Sequence, residues 1–201
     1  MREFAAVVAA LDMHQSPSTV RLAQRAPLPS GTSFLLEIAA GEADAIELAC
    51  RKTGRSEERL REAAGFFVEQ VLLRPECDSY RVLGGALQSA PQELRRNMAY
   101  LLKWLHPDVA SNNGIAGELL DRSVFANRVT QAWEDLKTDQ RRTSYDEKLA
   151  AQRDSRSAGN AGNRRPGRGM PRQRWHQIPQ HRIKREDFVT RLVRLLLGGR
   201  R

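Results

Sequence analysis

Long hydrophobic runs are missing from this 201-residue chain. No apolar stretch approaches the ~18 residues needed to cross a bilayer. The opening Met1-Arg2-Glu3 leads into a short apolar run that stops at Leu11-Asp12, a poor signal peptide, and the expected localisation is cytoplasmic. Cysteine is scarce too. Cys50 and Cys77 stand far apart and match no metal-ligand spacing, so reduced, mostly buried thiols are expected. Of the four histidines, His14, His106, His176 and His181, only the last two are close together, and neither has a cysteine or carboxylate at ligand spacing. No metal site and no cofactor are expected.

Acidic residues are outnumbered by basic ones, 24 against 33, and the net charge is +9. The excess is local: residues 1–150 sum to −2 and residues 151–201 to +11. The basicity therefore belongs to the tail, with a near-neutral body ahead of it.

The body shows helical periodicity and no strand pattern, so the expected fold class is all-α. Residues 1–33 read as a flexible N-terminal arm: the first eleven allow a short helix, but Pro17, Pro27 and Pro29 with their serines point to a loop. Residues 34–77 read as a helical extension. In it Leu35, Ile38, Ala39, Ile46 and Ala49 recur at helical spacing with a break at Gly41, and Ser56 looks like an N-cap ahead of the stripe Leu60, Ala63, Ala64, Phe67, Val68, Val71, Leu72. Pro75 ends it. This helical pair is either a docking surface for a client or regulator or a brace packed inside its own fold.

The stretch that organises the rest is His106-Pro107-Asp108. A residue before proline is pushed out of the helical region, so the helix opened by Pro91 stops at His106, and Asp108 stands in the turn as an exposed acceptor. In that helix Leu94, Met98, Leu101, Leu102 and Leu105 form one broad apolar face. Between the motif and Phe125, residues Val109 to Val124 include Asn112-Asn113-Gly114 and read as a mobile loop. Catalysis by His106 is not expected, because nothing supplies a nucleophile and adjacent residues at a helix stop do not form a catalytic pair.

Upstream lies Asp78-Ser79-Tyr80-Arg81-Val82-Leu83-Gly84-Gly85; downstream come Phe125, Ala132, Trp133 and Leu136, then Arg141-Arg142-Thr143-Ser144-Tyr145-Asp146. In order and spacing, residues 78–149 resemble the J domain of DnaJ-type co-chaperones. The resemblance implies a helical hairpin with Phe125, Val129, Trp133 and Leu136 packed on the Pro91 helix, Tyr145 in the core, and no enzymatic activity of its own. It also implies a DnaK-type (heat shock protein 70) partner whose ATPase is stimulated through His106, Pro107 and Asp108 and through the basic residues Arg95, Arg96 and Lys103. The sequence departs from the family at Ala99 and Tyr100, where basic residues are usual, and at Trp104, where lysine is common. No Gly/Phe-rich region, zinc module or β-rich substrate domain follows, which implies a specialised adaptor with its own client protein.

Residues 150–185 turn to Arg, Gly, Asn, Gln and Pro and read as a disordered linker. Arg164, Arg165 and Arg168 with Trp175 suit nucleic acid, through phosphate neutralisation and base stacking, or serve only as a solubilising tether. Residues 186–201 read as an amphipathic basic terminal helix with Phe188, Leu192, Leu195 and Leu196 on one face. It suits a partner groove or an anionic membrane surface, or packs back on the body. The alternative to a co-chaperone is a J-like scaffold whose basic tail does the binding.

Overall fold

The computed structural model describes residues 4–106 and 119–161. The chain divides into two compact units, 1–145 and 146–201. Among the described residues there are nine α-helices and no strand, which makes the fold all-α.

The first unit begins with α1 (Ala5–Gln15), and the expectation of a flexible arm over residues 1–33 is corrected here. Ala6, Val7, Ala10, Leu11 and Met13 are buried, and α1 packs on α5 (Glu57–Phe67) and α3 (Thr32–Ala39). The alanines keep the α1 surface thin, which lets two helix backbones approach closely. Phe4 meets Phe34 edge-on at 5.1 Å between centroids, His14 meets Phe66 at 5.7 Å, and Ala6 N–H donates to Ser30 O at 3.1 Å. The prolines that suggested a loop sit where helices tolerate them. Pro17 opens a 3₁₀ turn (Pro17–Thr19), where a missing N–H has no partner to lose. The helix α2 (Val20–Arg25) follows, and Pro27 and Pro29 come only after its end.

The extension is three helices rather than a pair. Gly41, at φ 79°, ends α3 and turns the chain into α4 (Ala43–Thr53), and Gly54, at φ 65°, closes α4. Ser56 does occupy the N-cap position of α5, but its side chain makes no capping bond; Glu57 and Glu58 in the first turn complement the helix dipole instead. α5 then widens into a π turn (Val68–Leu72), marked by Leu73 N–H donating to Val68 O at 3.0 Å. The two cysteines are half-buried rather than buried, with Cys77 Sγ directed at Val71 O.

Next come α6 (Ser79–Val82), α7 (Pro91–Leu105), α8 (Leu119–Leu136) and α9 (Asp139–Ala161). Asp78 caps α6 by accepting from Arg81 N–H at 2.9 Å. α7 lays Leu94, Met98, Leu101, Leu102 and Leu105 into the core, each burial worth roughly 2 kcal/mol. The buried Asn97 ties the helix to the turn before it, donating Nδ2–H to Leu83 O at 3.0 Å. α8 packs on both α6 and α7 through Ala126, Val129, Ala132 and Leu136.

Three expectations in this region change. Phe125 and Trp133 are half-buried, so the α8 core is built from smaller residues than the family resemblance implied. The expected loop Val109 to Val124 is already helix from Leu119. The expected linker 150–185 is helix as far as Ala161, because the Ala- and Arg-containing stretch after Tyr145 has good helix propensity and meets no proline before Pro166. In the second unit the described residues 146–161 continue α9.

α3 packs on α5 and also on α7, so the extension and the motif-bearing helices share one core within the first unit. Among the described residues no helix is long and apolar enough to cross a membrane.

Candidate functional site: the exposed face of α7

α7 stops where the proline rule places its end. His106 is the C-cap, extended at φ −64° and ψ 135°, with its N–H donating to Lys103 O at 3.1 Å. Pro107 and Asp108 lie outside the described residues, as do Arg164, Arg165, Arg168, Trp175, Leu192 and Leu196.

Arg95, Arg96 and Lys103 are all exposed on α7, because the apolar residues between them face inward. They are not equivalent. Lys103 Nζ pairs with Glu42 Oε1 at 2.8 Å. Arg96 lies close enough to Glu37 to favour its carboxylate, and the Tyr100 hydroxyl donates to Glu37. Near the start of the helix Ser33 Oγ donates to Glu93 Oε1 at 3.2 Å. The structure thus sets Arg96, Tyr100 and Lys103 against α3 and the turn after it, while Arg95 belongs to the solvent side.

Burial raises the Glu37 carboxyl above the usual carboxylate range, with Arg96 pulling the other way. Burial also raises the Tyr100 hydroxyl, and the neighbouring acids Glu37 and Glu42 push it further. Tyr100 therefore stays protonated and donates. Neither acid was legible as a partner of α7, since each lies about sixty residues from it in sequence. Tyr100, noted only as a missing positive charge, turns out to be a hydrogen-bond donor.

At the far end of α7, Trp104 is buried where the family resemblance led one to look for lysine. Arg122 covers it, with the guanidinium 5.8 Å from the ring centroid and Nη1 3.5 Å from Trp104 O. The half-buried Arg122 brings a cation to this edge from α8, and burial lowers its pKa while Glu69 opposes the shift.

The segment 78–85 is locked to the start of α9. Ser79 N–H donates to the Tyr145 hydroxyl at 2.7 Å, and Ser79 Oγ to Asp135 Oδ2 at 2.8 Å. Arg142 stacks over Tyr80, 5.2 Å from the ring centroid, and donates Nε–H to its hydroxyl at 2.9 Å and a second bond to Leu87 O. These side chains are structural: each is spent on a contact inside the unit.

Among the described residues no group of three His, Cys, Asp or Glu side chains is arranged to hold a metal ion. The chain matches no protein-family model, no curated protein and no solved structure.

Proposed function

We propose that this chain is a J-domain co-chaperone that engages a DnaK-type chaperone and stimulates its ATPase, acting as a specialised adaptor. The observation that carries the reading is the way its sequence landmarks meet. Asp78 caps α6, Tyr80 lies under Arg142, Ser79 N–H reaches Tyr145, and α7 and α6 both pack on α8, with α7 ending at the residue before Pro107. Such a network gives a reason for those residues to sit at those spacings. In this reading Asp108 supplies a charge-assisted contact to the partner, and Arg95, Arg96 and Lys103 supply charge for encounter and orientation. The ATP chemistry belongs to the partner, and this chain is not an enzyme.

The test is steady-state ATPase stimulation of a DnaK-type chaperone by the full chain. Modest stimulation is expected, abolished by Asp108→Asn with helicity unchanged, and increased by Ala99→Lys at low salt. Absence of stimulation by both the wild type and Ala99→Lys would overturn the proposal. A second reading, a J-like scaffold whose basic tail binds nucleic acid or another acidic surface, draws on the engagement of Lys103 by Glu42 inside the protein. It predicts salt-dependent retention of RNA that disappears on deleting residues 151–201.

A further inference from the structure

We infer that Glu37 and Glu42 occupy one side of the basic face of α7 in place of an acidic partner, so that docking there proceeds by displacing them. The inference rests on the co-chaperone reading and specifies how that same face is regulated.

The two acids are presented as a unit. Glu42 N–H donates to Glu37 O at 3.0 Å; Glu37 is carried by α3 itself, and Gly41 at φ 79° makes the turn that brings Glu42 to α7. A side chain there would meet the Arg61 guanidinium at 3.3 Å as well as the left-handed backbone, so the turn is specific to glycine. Behind it, Leu35, Leu36, Ile38 and Ala39 anchor α3 in the core. The backbone of α3 therefore holds the two acids next to Arg96, Tyr100 and Lys103, and only their side chains need swing aside for a partner.

The contact is nevertheless weak enough to yield. Lys103 and Glu42 keep 48% and 40% of their side-chain surface in water, and exposed pairs of this kind are screened and exchange readily. An incoming carboxylate offers Lys103 the same chemistry that Glu42 does, so the two compete on nearly equal terms. Arg95, exposed on the solvent side of α7, is where a partner can land first. The arrangement sets a threshold on affinity and does not block docking outright.

The experiment compares ATPase stimulation of a DnaK-type chaperone by the full-length wild type and by Glu37→Gln/Glu42→Gln, titrated at low salt. Glutamine keeps the shape and removes the charge. Half-maximal stimulation should shift to about two- to five-fold lower concentration, with the maximum unchanged, as expected for losing a surface ion pair. In an Arg96→Ala/Lys103→Ala background the same two glutamines should give no gain. Circular dichroism checks that the helices persist, and should the double variant lose helicity, Glu42→Gln alone decides by showing a smaller shift in the same direction. Stimulation by the wild type with no shift in a folded variant overturns the inference and leaves the co-chaperone reading standing, as does a gain that survives loss of both Arg96 and Lys103. If neither protein stimulates, both readings fall together.

Discussion

Replacing Arg81 with alanine removes three hydrogen bonds at once. Its Nε donates to Val71 O at 3.1 Å, Nη1 to Ala26 O at 2.9 Å and Nη2 to Ala23 O at 2.8 Å. Two of these carbonyls lie at the end of α2, where no further turn of helix remains to satisfy them, and the third lies in the π turn. A hydrogen bond to a charged group contributes roughly 1.5–3 kcal/mol when sheltered, but this site is only half-buried and water can take over part of the loss. About 1 kcal/mol per bond is therefore reasonable, or about 3 kcal/mol together. For a body of this size that corresponds to a fall in Tm of about 6–12 °C. Arg81→Lys keeps the charge but offers a single ammonium, which cannot span three carbonyls, so it should recover no more than about a third of the loss. Urea unfolding followed by circular dichroism measures the cost, and limited trypsin digestion shows its location. With Arg81 gone, α2 loses its tie and cleavage at Arg21 and Arg25 should precede cleavage of the body. An Arg81→Ala protein within about 1 kcal/mol of the wild type, with no faster cutting at those two sites, would refute the argument and leave Gln24, which donates to Gln70 O at 3.0 Å, as the holding contact for α2.

Two smaller tests follow from local geometry. At Gly85 an added Cβ runs into Leu94 Cδ2 and comes within 3.1 Å of Ser89 Oγ, so Gly85→Ala should cost about 1–3 kcal/mol by forcing a fully buried leucine to shift, measured by the urea midpoint. Glu134 is held below the usual carboxylate range, first by the hydrogen bond from Lys137 and then by the charges of Lys137 and Arg141. Its contribution is present above the ordinary carboxylate pKa and is lost as pH falls through the depressed value, so Glu134→Gln should lower stability by at most about 1 kcal/mol at neutral pH and leave it unchanged in strong acid. A constant difference across the titration would sink that assignment.

What the sequence carried most clearly was the inward face of α7. Every residue of the stripe Leu94, Met98, Leu101, Leu102 and Leu105 is buried, because a helix packed on one side leaves no other place for them. The end of the helix at His106 was equally legible, since the constraint from Pro107 is covalent. Proline misled in the first 33 residues. Pro17, Pro27 and Pro29 were weighed by their number, while their effect depends on position, and all three flank short helices instead of interrupting them. Phe125 and Trp133 were expected in the core from the family resemblance, but the close approach of α8 to α6 and α7 is made by Ala126 and Ala132. The acidic partners of α7 were out of reach for a different reason. Periodicity tells which face of a helix is buried and says nothing about which distant carboxylate will stand beside Lys103.

The π turn at Val68–Leu72 makes the body unusually sensitive to chain length at one spot. Its wider loop holds one residue more than an α-turn would, and the carbonyls of Val71 and Leu73 emerge from it toward the guanidinium groups of Arg81 and Arg128. Shortening this segment by a single residue would let the last turn relax to ordinary winding and swing its remaining residues by about 100° about the helix axis, just before the chain leaves the helix at Leu73. Both carbonyls would then turn away from their arginines, and one of those arginines is the tie that holds α2. Deletions in the loops between helices can be absorbed by slack; here one surplus residue sets the direction of two carbonyls that arginines hold.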